Sequence, residues 1–141
     1  NGFQYPLPGT DWTPAVEGAV LGPGLSGKKV WLPLDFLKAG DIITSYNLVG
    51  DIHEESGDTV TLDGKLVRVN KSDPINVFDI TNGAITQVDT DGNFDVGANC
   101  DDTTVETDNQ YLFEILGSTS NVSGNEKIVV IGAEVVITRK I

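Results

Sequence analysis

The sequence contains very little cysteine, histidine, methionine or aromatic material, and these shortages exclude whole classes of protein. Its 141 residues include one cysteine, one histidine, no methionine and 7% aromatic residues. A single cysteine cannot form an intrachain disulfide, so the small secreted domains held together by disulfides are excluded. Asp101 and Asp102 follow Cys100 directly; they are expected to disfavour its thiolate and leave it inert. Position 1 is Asn rather than Met, and no signal-peptide pattern follows it, so we expect a processed or trimmed product.

Long apolar runs and positive charge are also scarce. No apolar run approaches the roughly 20 residues that a membrane-spanning helix needs. The chain has 9 Lys and Arg residues against 21 Asp and Glu, which gives a net charge of −12. Such a surface repels phosphate, so we expect neither nucleic-acid binding nor docking on an anionic membrane. Hydrophobic residues still make up 39%, enough for the core of one domain.

Motifs for catalysis or cofactor binding are incomplete. The stretch from Gly22 to Lys29 matches G-x-G-x-x-G and most of a P-loop. Phosphate binding there needs a following helix, but Pro33 lies where that helix would run, and Lys29 replaces the magnesium-binding hydroxyl. His53 lacks a zinc-ligand set and a G-x-S-x-G elbow, so we interpret it as a surface histidine. We therefore expect no cofactor and no enzyme, and rank a two-carboxylate hydrolase as the lowest alternative.

Four side chains with oxygen atoms alternate along one stretch: Asp89, Asp91, Asn93 and Asp95. Calcium loops have this alternation, but an EF-hand also needs Gly at its sixth position and Glu at its twelfth. Phe94 and Cys100 occupy those positions here. We favour a hairpin turn at Asp91-Gly92 with solvated carboxylates, and keep calcium binding by the four residues as the alternative.

Residues 1–29 differ in composition from the rest. They hold four of the six prolines and many of the glycines, which disfavours regular strands and helices. The segment nevertheless carries spaced aromatic residues, which disordered tails rarely have. We predict an extended N-terminal arm over 1–29 that lies against another surface, and expect its deletion to leave the remaining domain folded.

From Val30 onward the residues favour β-structure, and no window has the i, i+3, i+4, i+7 spacing of a long helix. The predicted strands are 30–34, 41–52, 59–62, 65–69, 75–80, 84–88, 103–106, 111–116 and 127–138. Asp63-Gly64 separates two of these runs and predicts a tight hairpin, because a type I′ turn needs positive φ at both central residues. The stretch 34–39 is the one candidate for a helical turn.

The last predicted strand, 127–138, is apolar on both faces. Such a strand lies either in the centre of the core or against a neighbouring subunit. Many short strands at near-regular spacing predict an all-β fold, a β-sandwich or jelly-roll-like barrel, as a single domain over 30–141.

The stretch VWLPLDFLKAGDIITSYNLVGDI, with the terminal VVIGAEVVITRKI, resembles the decoration or cement proteins of tailed-bacteriophage capsids. The resemblance implies a non-enzymatic virion protein that is made in the bacterial cytoplasm and sits on the capsid surface, as a homotrimer bound to the major capsid protein. An arm would then reach over neighbouring subunits. Buried aromatic residues usually dominate interfaces, so the candidate anchors are Phe3, Tyr5, Trp12, Trp31 and Phe36.

An extracellular β-sandwich module that binds carbohydrate or a cell surface is the alternative function. That function would need exposed aromatic residues on one face, or a calcium site near Asp89–Asp95. For Trp31 and Phe36 a place in the ordinary core is the competing interpretation.

Overall fold

The computed structural model describes residues 12–15, 18–54, 59–82, 84–120 and 124–139. These residues form β-strands and no helix, and accordingly none of them belongs to a helix long and apolar enough to cross a membrane. The strands are β1 (Thr13–Ala15), β2 (Gly18–Leu21), β3 (Lys28–Pro33), β4 (Ile42–His53), β5 (Val60–Asn70), β6 (Asp73–Asp79), β7 (Thr81–Asn82), β8 (Ile85–Val88), β9 (Gly92–Thr104), β10 (Asn109–Thr119) and β11 (Lys127–Thr138).

Two antiparallel sheets face each other, so the predicted β-sandwich is confirmed. Sheet A has the strand order β1-β2-β11-β4-β9-β7, and sheet B has the order β3-β10-β5-β6, with β8 also paired to β5. Alternate residues of each strand point between the sheets, because successive side chains of a strand point to opposite faces. The core contains Leu48 and Ile52 from sheet A and Leu66 and Phe113 from sheet B.

The hairpin predicted at Asp63-Gly64 is wrong, because β5 runs without interruption through both residues. Gly64 pairs with Ile115 of β10, and its φ is not among the positive values, which occur at Gly24, Gly27, Gly40 and Gly92. Position 64 requires glycine because of the space around it, not because of its backbone conformation. A Cβ at position 64 would lie 2.7 Å from Cδ1 of Leu48, in the facing sheet.

Part of the segment predicted to be an extended arm belongs to the sandwich. Strand β1 pairs with β2, and β2 pairs with β11, so both extend sheet A. Trp12 is only 2% exposed, and its Nε1–H donates to the carbonyl oxygen of Lys28 at 3.0 Å. The Trp12 ring therefore packs in the core, and its hydrogen bond connects the segment before β1 to β3 of sheet B. Phe3 and Tyr5 lie outside the described residues.

Two further expectations about secondary structure are corrected. The strand predicted at 103–106 is not a separate one: 103–104 are the end of β9, which begins at Gly92 and pairs with β4 over most of its length, and 105–106 lie beyond it. Stretch 34–39 forms turns rather than a helical turn. Strand β11 lies inside sheet A, between β2 and β4, but it also exposes Ile131 and Val136, so the contact with a neighbouring subunit stays a prediction.

Candidate functional site

A groove of about 310 Å³ crosses the outer face of sheet B. The register of the sheet forms it: Glu114 of β10 pairs with Trp31 of β3 on one side and with Lys65 of β5 on the other. Their inward neighbours Leu32, Phe113 and Leu66 are core residues, so this row faces outward. The groove is lined by Lys29, Asp63, Gly64, Lys65, Asp79, Ala84, Ile85, Thr86, Glu114 and Leu116.

Glu114 is the fixed centre of this groove. Its Oε2 accepts a hydrogen bond from Nε1–H of Trp31 at 3.2 Å. Its Oε1 lies 3.5 Å from Nζ of Lys29 and 3.8 Å from Nζ of Lys65. Glu114 is only 8% exposed, and a carboxylate so far removed from water needs such partners. The three contacts hold it at one position between two cations.

Trp31 does not line the groove but stands next to it, bonded to Glu114, which does. Its side chain is partly exposed on the outer face, and the bond from Nε1 to Glu114 fixes how the indole ring is oriented. An indole ring offers a broad apolar surface and a single polar N–H group. Since that N–H group is already used, the remaining exposed part of the ring is available for apolar contact with a ligand.

The other residues predicted from sequence to anchor a partner lie apart from this groove. Phe36 is 42% exposed, in the turn between β3 and β4, and does not line the groove. Trp12 is in the core. Sequence reasoning missed Glu114 and Lys65 altogether, because only the pairing of β10 with β3 and β5 brings them beside Trp31.

The four residues considered for calcium are not gathered around one point. Oδ1 of Asp91 accepts from the backbone N–H of Glu54 at 2.8 Å, and Oδ1 of Asp95 accepts from Nδ2 of Asn47 at 2.5 Å. Within the described part of the chain, no three His, Cys, Asp or Glu residues stand close enough to hold a metal ion. Asn93 and Asp95 lie on the exposed face of β9, whereas Asp89 and Asp91 precede that strand.

Cys100 is buried in the core. Burial raises the pKa of its thiol to about 11, and the nearby charges of Asp101 and Asp79 add to the effect. The thiolate is thus disfavoured, as the sequence predicts, although burial is a larger cause than the adjacent carboxylates. His53, at the end of β4, is exposed.

A second cavity, also about 310 Å³, lies where the β3–β4 and β9–β10 connections meet. Its polar side chains bond to one another: Nε2 of Gln110 donates to Oδ1 of Asp35 at 3.2 Å, and Nζ of Lys71 donates to the Thr107 carbonyl oxygen at 2.8 Å. The aromatic residue lining it, Tyr111, is buried. The groove on sheet B is the better candidate because a fixed carboxylate, Glu114, lines it and the partly exposed Trp31 ring stands beside that carboxylate.

Neither a protein-family model nor a curated protein matches the sequence. Two solved structures are similar to this chain, the first with a TM-score above 0.5 and the second below it. A xylanase 10C mutant from Cellvibrio japonicus in complex with xylopentaose is 10% identical, with a TM-score of 0.54 over 91% of this chain; the chain spans 24% of that protein's length. The C-terminal family 22 carbohydrate binding module of Clostridium thermocellum Xyn10B is 15% identical, with a TM-score of 0.40 over 97% of this chain and 95% of that one. Likeness at such identity concerns the fold alone.

Proposed function

We propose that this chain is a non-catalytic β-sandwich module that binds carbohydrate in the groove on the outer face of sheet B. The observation that carries the proposal is the row in which the partly exposed Trp31 ring stands beside a fixed carboxylate, Glu114, with two lysine ammonium groups around it. Ligand sites combine apolar or aromatic surface with a few placed polar groups in this way.

The chemistry of a sugar ring matches that arrangement. One face of the ring exposes C–H groups, which pack on an aromatic surface, while its edges carry hydroxyl groups that donate and accept hydrogen bonds. Trp31 would supply the aromatic surface, Glu114 would accept, and the protons of Lys29 and Lys65 that are not directed at Glu114 would donate. The proposal includes no catalytic step.

Other ligands also combine apolar surface with hydroxyl groups, and the likeness in fold to one solved structure is the reason for proposing carbohydrate. The similar xylanase structure contains a bound xylopentaose, although the identity is too low to transfer a ligand or a residue to this chain. The argument for this groove therefore rests on its own side chains.

Binding to a glycan array, followed by affinity electrophoresis in the retained polysaccharide, tests the proposal. Trp31→Ala should weaken retention about tenfold or more, since central aromatic contacts commonly contribute over 1 kcal/mol. Phe36→Ala is the matched control, because it also removes an exposed aromatic ring but lies in the turn between β3 and β4, whereas Trp31 is bonded to Glu114 of the groove. Absence of retention on every glycan, or equal losses in the two variants, would contradict the proposal.

Capsid decoration is the second proposal, and one observation favours it. Strand β11 exposes two large apolar residues, Ile131 at 47% and Val136 at 53%, and exposed apolar groups can mark contacts between proteins. Light scattering after gel filtration tests this function. A stable trimer that Val136→Asp dissociates would support it, whereas a monomer that also fails to bind phage heads would end it.

A further inference from the structure

The groove on sheet B contains charges of both signs. Three carboxylates line it, from Asp63, Asp79 and Glu114, together with the two ammonium groups of Lys29 and Lys65. The carboxylates are in excess, and the chain as a whole carries a net charge of −12. Both the local and the long-range field therefore oppose an anionic ligand.

Both ammonium groups are already engaged by Glu114. An anionic ligand that paired with Lys29 and Lys65 would compete with Glu114 for their positive charge. That carboxylate is 8% exposed, and a carboxylate so buried is costly to leave without its cations. Competition for the two lysines thus opposes an anion even where salt screens the long-range repulsion.

An uncharged hydroxyl group meets no such conflict. It can donate to Glu114 while the carboxylate keeps its cations, and it can accept from an ammonium group that has three protons to give. Hydrogen bonds to charged groups are the stronger ones, so the existing ion pairs would strengthen contacts to neutral hydroxyls.

We infer that the groove selects uncharged glycans and rejects glycans that carry uronic acid or sulfate, with Glu114, Asp63 and Asp79 as the residues that determine this specificity. The inference rests on the proposed function and names its ligand class. Asp79 and Asp63 set the sign of the local field, and Glu114 prevents the lysines from serving an anion.

A glycan array with uncharged, uronic-acid-bearing and sulfated members, read at low and at high salt, tests the inference. Retention confined to uncharged members at both salt concentrations is expected. Retention of acidic members at equal or greater strength would overturn the inference and leave carbohydrate binding standing. Retention of no member would overturn the proposed function, and the inference with it.

Charge variants distinguish the effect of the groove's own charges on binding from the effect of the chain's total charge. The double variant Asp63→Asn with Asp79→Asn leaves two ammonium groups facing one carboxylate, and should gain about tenfold in retention of acidic glycans at low salt. Asp95→Asn with Glu134→Gln makes the same change in total charge on sheet A, where Asp95 pairs with Val49 and Glu134 with Asn47. An equal gain in this control pair would show that total charge, not the groove, determines the selection.

Discussion

The hydroxyl of Tyr46 donates a hydrogen bond to the carbonyl oxygen of Gly64 at 3.1 Å, from one sheet to the other. The same hydroxyl accepts from the backbone N–H of Ile85 at 3.2 Å. The Tyr46 ring packs edge to face on Phe113, with centroids 5.2 Å apart. Burial raises the pKa of Tyr46 to about 12, so the hydroxyl keeps its proton at ordinary pH. One side chain thereby links β4 to β5, β8 and β10.

Replacing Tyr46 with Phe should lower the free energy of unfolding by about 1–3 kcal/mol, because a buried C=O and a buried N–H lose their partner. Urea unfolding measures the change, and the slope against urea should stay that of the parent protein. Thr44→Val is the control, since the Thr44 hydroxyl donates to the Val136 carbonyl oxygen at an exposed site. A loss no greater than that of the control would contradict the assigned role of Tyr46.

The Tyr46–Gly64 contact also explains why the hairpin prediction was wrong. Asp-Gly between two β-favouring runs is a strong local signal for a turn, and nothing near it in sequence argues otherwise. The competing interactions are distant: β10 pairs with β5 along its whole length, and Leu48 packs where a side chain at position 64 would lie. The pairing between β5 and β10, which are distant in sequence, therefore determines the backbone at Asp63-Gly64, and the local preference for a turn does not.

Strands whose pattern is local were predicted well. The bounds of β4 and β11 match the prediction within a residue or so, because uninterrupted β-favouring residues define them. Strand β2 was missed, since its Gly and Pro surroundings hide a pairing that only β11 creates. The chain bends at Asp91-Gly92, where Gly92 has a φ of 112°, but the hairpin predicted there is wrong, because the flanking strands β8 and β9 pair with β5 and β4 in different sheets.

The candidate site was predictable only in part. Trp31 stood out from the sequence as a rare aromatic residue. Glu114 and Lys65 lie far from it in sequence and carry no motif, so their role depends on cross-strand register. Register follows from the whole sheet rather than from any one strand.

Replacing Trp12 should lower the free energy of unfolding by as much as replacing a core residue does. The Cβ of an alanine at Gly117 would lie 2.6 Å from Cζ2 of Trp12, so the ring occupies the space that this glycine leaves open. Trp12→Ala should cost about 3–5 kcal/mol, as large-to-small core substitutions do. Trp31→Ala, at a partly exposed position, should cost about 1–2 kcal/mol.

Thermal and urea unfolding of both variants measure these losses. Deletion of residues 1–29 removes β1 and β2 as well as Trp12, so we now expect an unfolded or strongly destabilised product, contrary to the sequence-based expectation. Equal stability of the parent protein and Trp12→Ala would contradict this placement of the ring.

Cys100 should react with thiol reagents very slowly in the folded protein. Its thiol pKa rises from 9.0 to about 11, so the thiolate population near pH 8 falls about 100-fold before steric protection is counted. The rate of reaction with a disulfide reagent that releases a coloured thiol measures Cys100 alone, because the chain has one cysteine. The same reaction in about 8 M urea, where the protein is unfolded, is the control. A folded-state rate within about tenfold of the unfolded rate would show that the site opens readily.

The carboxylate of Asp41 binds the guanidinium of Arg139 through two hydrogen bonds, from Nε to Oδ1 at 2.8 Å and from Nη2 to Oδ2 at 2.7 Å. The backbone N–H of Lys38 also donates to Oδ2 at 2.8 Å. These contacts tie the residue after β11 to the turn before β4. The hydrogen bond from Arg139, with that from Lys38, lowers the pKa of Asp41 from 3.8 to about 2.

Because the folded-state pKa of Asp41 is lowered, its stabilising effect is present in full above the unfolded-state pKa and is lost as pH falls through the folded value. Asp41→Asn should therefore lower Tm at pH 7, and the difference from the parent protein should shrink between about pH 4 and pH 2. Asp89→Asn, which removes an exposed carboxylate, should leave Tm nearly unchanged at pH 7. Melting curves at half-unit pH steps measure the differences. A gap between Asp41→Asn and the parent protein that stays constant down to pH 2 would mean that the Arg139 contact does not depend on the ionised carboxylate.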